Sequence, residues 1–134
     1  MRIWHWKSLP YLPNKMIVSQ WRECIAIKRQ WEKGTLKHRL VSYVINYPKD
    51  YFAWYTHQVY SEMLKRSIKC REKYMNEIIS FCQYRLWQED LIYPEHNDRY
   101  LKQCLYNLQE KADRGIISQR EWKVIKDKFG EYLK

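Results

Sequence analysis

Apolar side chains recur along this chain at the three- and four-residue spacing of helices. Ile17, Gln20, Trp21, Cys24, Ile27 and Trp31 fall on one broad arc, which predicts a helix over residues 15–31. Arg22 points away from that arc. Glu23 sits at its border beside Ser19, Ala26 and Gln30. After Pro48, the spacing of Phe52, Tyr55, Val59 and Met63 predicts a second helix over about 49–67. The basic run KRSIKCREK then breaks or bends it. A further apolar pattern, with Met75, Ile78, Ile79 and Cys82, covers about 74–87. Leu101, Cys104, Leu105, Leu108 and Ala112 form a clear stripe, and Gly115 stands just past it as a stop. The last pattern carries Trp122, Ile125, Phe129 and Tyr132.

Between these runs lie the start and stop signals. SLPYLPN, residues 8–14, holds Pro10 and Pro13 and reads as an extended lead-in, with Asn14 a candidate cap. YPEHND reads as a turn, with Asp98 able to cap the next helix. SQRE, residues 118–121, has the Ser-x-x-Glu form of a capping box. Residues 32–47 form a basic connection around Gly34, and its end, LVSYVINY, fits a β-like or a helical piece equally well. There is no internal repeat and no low-complexity tract. The expectation is one compact all-α domain over residues 1–134, with a core built from bulky rings. Aromatic residues make up 16% of the chain, and only 3 of the 134 residues are glycine, which argues against many short strands.

Charge narrows the partner. The formal net charge is +10, and it is patched. Residues 14–40 hold seven Lys/Arg against two acids, residues 64–73 five against one, and residues 74–110 three against six. Patches of this kind suit a surface that faces phosphates, so nucleic acid is the first expected partner. The apolar runs are too short to span a bilayer, and Arg2, His5 and Lys7 interrupt any apolar signal core, so the protein is expected to be intracellular with no membrane partner. The four cysteines are far apart and the four histidines scattered. That spacing gives no zinc signature, and buried reduced thiols are expected.

No Ser/His/Asp signature and no glycine-rich phosphate loop is present. Two features carry chemistry instead. The opening MRIWHW puts two tryptophans, a histidine and an arginine where chains ordinarily fray, which implies a terminus held against the body. An α-amine has an unperturbed pKa near 7.7–8.0, so part of it is neutral at cellular pH and can form a Schiff base. The second feature is WREC, residues 21–24. It puts a carboxylate at the edge of an apolar face, where it can handle protons and steady a cation. Each feature alone is also met by ordinary packing or a surface ion pair.

Together these motifs resemble the pyrimidine dimer DNA glycosylase/endonuclease V family. The resemblance rests on M-R-I-W-H, the L-P-x-x-P before the first helix, R-E-C, and KHRLVSYVINY. It continues through Phe52, Tyr55, Val59, Glu62, Met63 and Arg66, and through H-N-D-x-Y-L-x-x-C-L-x-N-L-x-E-K from His96 to Lys111. It implies a small helical DNA repair enzyme without metal or cofactor, an N-glycosylase and abasic-site lyase that acts on pyrimidine dimers in double-stranded DNA with damaged bases or abasic sites through an imine and β-elimination, and is expected to be a monomer. By the same resemblance, the α-amine of Met1 is the nucleophile and Glu23 stabilises cationic intermediates. Arg2, Arg22, Lys28, Arg29 and Lys111 are then the expected DNA contacts. Arg2 is too large for methionine trimming, so Met1 is expected to be retained. The chain departs from the family pattern at Trp21, Ala26 and Asn107. The alternatives are a non-catalytic DNA-binding protein of the same fold, or a basic helical protein-interaction module.

Overall fold

The computed structural model describes residues 1–83 and 89–134. The α-helices are α1 (Asn14–Glu32), α2 (Lys49–Lys65), α3 (Glu72–Cys82), α4 (Asp98–Asp113) and α5 (Gln119–Phe129). Short 3-10 helices cover Trp6–Tyr11, Ser42–Asn46 and Gly130–Leu133. No strand occurs among the described residues, so the protein is all-α. α1, α2 and α3 pack on one another, α4 packs on α5, and the first 3-10 helix touches both α2 and α5. All share one apolar core, in which Ile17, Phe52, Tyr55, Val59, Leu101 and Leu105 are fully buried. None of the described helices is long and apolar enough to cross a membrane.

The apolar stripes became helices because each has a face to bury. The stripe of α4 is buried from Leu101 to Ala112, as its spacing predicts. Gly115 has φ +73°, and the amide behind it, Ile116 N, bonds Lys111 O at 2.8 Å, so the helix stops there. The Ser118–Glu121 capping box is complete. Trp122, Ile125 and Phe129 are buried, which spends them on packing. Tyr132 lies beyond α5, on the last 3-10 helix.

Other details differ from expectation. Asn14 and Asp98 are the first residues inside their helices and do not cap them. Pro13 occupies the first cap position without a side-chain bond, and Asn97 caps α4 by accepting from the Tyr100 amide at 2.9 Å. LVSYVINY contains a 3-10 helix, not a strand. α2 ends at Lys65, and Ser67 turns the chain with φ 56°. The pattern expected over 74–87 is helical to Cys82, and residues 84–87 lie outside the described ones. Cys24, Cys82 and Cys104 are buried, whereas Cys70 is partly exposed.

The proline-rich lead-in is not extended. It coils into the 3-10 helix Trp6–Tyr11, with Pro10 inside. Such a helix leaves carbonyls without partners. Arg66 answers them. Its guanidinium donates to Leu9 O (3.2 Å), Pro10 O (3.0 Å) and Leu12 O (2.6 Å), and also to the side chains of Asn14 and Glu62. One member of the basic run thus has a structural task. Arg66→Met leaves the Pro10 and Leu12 carbonyls and the buried Glu62 carboxylate without their side-chain partner. Urea denaturation is expected to show a loss of about 3 kcal/mol.

Candidate active-site cleft at the N-terminus

Residues 1–5 have no regular structure, yet Ile3, Trp4 and His5 are buried. Side chains from three helices hold their backbone. On α1, Glu23 Oε2 accepts the Arg2 amide at 3.3 Å. Gln20, three residues earlier on the same helix face, donates to Arg2 O at 3.0 Å and accepts from the Trp4 amide at 2.9 Å. On α2, the Tyr55 hydroxyl donates to Trp4 O at 2.6 Å. On α4, the Tyr100 hydroxyl donates to Ile3 O. Burial raises both phenols far above their usual range, so both stay protonated and able to donate.

His5 and His96 extend this anchorage. The His96 ring nitrogen Nδ1 accepts from the Trp6 amide at 3.2 Å, and His5 Nδ1 accepts from the Lys7 amide at 3.1 Å. Backbone amides can only donate, so each Nδ1 is unprotonated and each neutral ring carries its proton on Nε2. His5 then donates through Nε2 to His96 O at 3.0 Å, and His96 Nε2 faces the Tyr43 hydroxyl at 2.8 Å.

Met1 and Arg2 line a cleft of about 480 Å³ together with Lys15, Glu23, Asn107 and Lys111. The site therefore gathers one carboxylate among cations. The Arg2 guanidinium lies 5.5 Å from the centre of the Trp4 ring, and it is close enough to Tyr100 and Cys104 to pull both pKa values down against burial. Asn107 bonds back to its own helix through Gln103 O at 2.8 Å. Four of the residues expected from sequence thus meet here: Met1, Arg2, Glu23 and Lys111.

Arg22, Lys28 and Arg29 do not join them. Arg22 and Arg29 line a separate groove of about 610 Å³, with Lys69 and Arg71. Adjacent helix residues are about 100° apart, so Arg22 and Glu23 cannot face the same way. Lys28 does not line the cleft. It is only 6% exposed and is paired with Glu32 (3.0 Å) and Glu77 (3.5 Å). Arg29 is exposed but holds Glu77 through two bonds, at 3.0 and 3.1 Å, and keeps that carboxyl below its usual range. Trp21, one of the departures, is buried against Tyr60, with ring centres 5.6 Å apart.

Lys15 and Gln20 were not singled out from sequence. Lys15 reaches across to Ile116 O at 2.5 Å at the edge of the cleft. Its four-residue spacing to Ser19 and Glu23 was the available signal. Gln20 was visible only as a member of the apolar arc.

With this geometry in place, the likeness can be weighed. Residues 1–76 match the pyrimidine dimer DNA glycosylase family, and the chain belongs to it. The matched span includes Met1, Arg2, Arg22 and Glu23, while Lys111 lies beyond it. No curated protein and no solved structure matches the chain.

The buried imidazoles set the acid limit of the anchorage. Desolvation lowers His5 to about 4 and His96 to about 3. Unfolded, both titrate near 6.5. Between those values the unfolded chain binds protons that the folded chain refuses. Their stabilisation is complete above pH 6.5 and is lost as pH falls towards 4 and then 3. Thermal melts between pH 7 and 4 are expected to show a falling Tm, and unfolding at pH 5 is expected to take up about two protons.

Proposed function

We propose that this protein cleaves the glycosidic bond at pyrimidine dimers in double-stranded DNA and cuts the resulting abasic site, with the α-amine of Met1 as nucleophile. What supports the reading is one contact: the Arg2 amide is held by Glu23 in a cleft that Met1 also lines. Where Met1 is the first residue and is retained, its amine is one residue from the amide that Glu23 holds, which supports pairing the two in one recess. The family membership points to the same substrate.

The steps follow from covalent catalysis. The neutral amine attacks C1′ of the damaged nucleotide, the glycosidic bond breaks, and the base leaves with a proton. The sugar ring opens at C1′–O4′, leaving an imine between the Met1 nitrogen and C1′. Glu23 faces the cationic intermediates and moves protons. The imine makes the C2′ proton acidic. Its removal breaks the C3′–O bond, releasing the downstream strand with its 5′ phosphate, and water then hydrolyses the imine to regenerate the amine. No step uses a metal ion or cofactor.

Arg2, Lys15 and Lys111 surround the same recess and suit the flanking phosphates. Arg22, exposed on α1, extends the basic track toward Lys69 and Arg71. Lys28 and Arg29 are assigned to Glu77 instead. The working form in this reading is a monomer.

Borohydride added to the protein with an abasic-site duplex is expected to trap a covalent adduct. Peptide mass mapping is expected to place it on the residue 1 amine. A short N-terminal tag should abolish trapping and leave the circular dichroism spectrum unchanged. No adduct from the untagged chain would overturn the reading. Glu23→Gln is expected to slow strand cleavage at least about 100-fold while duplex affinity stays within threefold. Lys111→Met is expected to weaken binding across all sequences and to lower the salt slope of log K by about one. An unchanged slope would remove Lys111 from the phosphate contacts.

A further inference from the structure

The Gln20 side chain is 1% exposed, and every hydrogen of its amide has a partner. Its oxygen accepts from the Trp4 amide at 2.9 Å and lies 3.4 Å from the Tyr55 hydroxyl. Its nitrogen donates to Arg2 O at 3.0 Å and to Glu23 Oε2 at 3.4 Å. The orientation has no alternative, because the Trp4 amide only donates and the Arg2 carbonyl only accepts. Turning the carboxamide over would set donor against donor and acceptor against acceptor.

Glu23 Oε2 thereby takes two bonds, from the Arg2 amide and from Gln20. Both fall on the same oxygen, so the two carboxylate oxygens are not equivalent. One is tied to the N-terminal segment and to α1. The other, Oε1, has no hydrogen-bond partner among the described residues, in a side chain that lines the cleft. A free carboxylate rotates about its last torsion with little resistance. Here that rotation would break two bonds.

We propose that Gln20 is the positioning residue of the reaction. It fixes the Met1–Arg2 segment and the Glu23 carboxylate relative to each other, and so selects Oε1 as the oxygen that handles protons. This rests on the function proposed above and assigns that site a residue outside its acid and nucleophile. A positioning role predicts a loss in the chemical step with binding retained, since misplacement by about 1 Å lowers a rate by about 100-fold.

Two variants test it. Gln20→Met keeps the length but removes all the bonds. Gln20→Glu keeps the acceptor for Trp4, but at neutral pH it has no donor for Arg2 O or Glu23. When the introduced carboxyl is protonated, it offers an O–H donor again. In single-turnover cleavage of an abasic-site duplex at pH 7.5, both variants are expected to fall at least about tenfold below the unmodified chain, with duplex Kd within threefold. On lowering the pH toward 5, Gln20→Glu is expected to recover relative to Gln20→Met, which shares the fold and its acid sensitivity. A merely structural glutamine would give two variants with parallel pH profiles.

Amide hydrogen exchange at residues 2–4 supplies a second reading, expected to quicken in Gln20→Met while the core of α1 stays protected. Gln20→Met cleaving at the unmodified rate, parallel pH profiles, or unaltered exchange would each overturn this inference alone. An unmodified chain that forms no borohydride adduct would overturn the underlying reading, and this one with it.

Discussion

Everything at the cleft depends on a short length of backbone being held by side chains. Residues 2–4 have no sheet or helix to bond to, yet five of their six main-chain polar groups are met by Gln20, Glu23, Tyr55 and Tyr100. Buried backbone groups need such partners, and an unmet one costs about as much as a lost hydrogen bond. Fixing each residue costs about 1–2 kcal/mol of entropy, and one bond returns about 1 kcal/mol. Bonds alone would not hold the segment. Burial of Ile3 and Trp4 adds the rest, and the bonds decide where the segment lies. Polar side chains here supply direction, and apolar ones supply most of the hold.

The same division runs through the charges. A net charge of +10 looks like a surface devoted to an acidic partner, but several cations have work inside the fold. Arg66 satisfies the carbonyls of the first 3-10 helix. Lys28 and Arg29 converge on Glu77 and join α1 to α3. The cations left around the N-terminal cleft and the second groove lie on different sides of α1. A ligand that used both would have to be extended, as a nucleic-acid strand is.

Helices were legible wherever an apolar stripe was long enough to bury, as in α4 and the centre of α1. Their ends were less so. Pro13 and Asn97 took positions one residue before Asn14 and Asp98, because which neighbour turns out of the helix depends on the chain leading into it. The lead-in was misread for a similar reason. Two prolines suggest extended chain, but Arg66, more than fifty residues away, makes a tight coil affordable. At the site, Met1, Arg2 and Glu23 were legible through a family pattern. Gln20 was not, since a helical wheel shows that a position is buried but not what it bonds. The burial of Lys28 was not legible, since Glu77, one of its two carboxylate partners, sits on another helix.

The N-terminal segment also has a place in time. Its contacts with His96 and Tyr100 join residues ninety or more positions apart, and they need α4 and the turn before it in place. Contacts of such long range close large loops, and folds that depend on them form more slowly than folds built from local contacts. The cleft therefore exists only where α1, α2 and α4 have come together. The long span of these contacts makes the finished site a report on whether three separate helices have met.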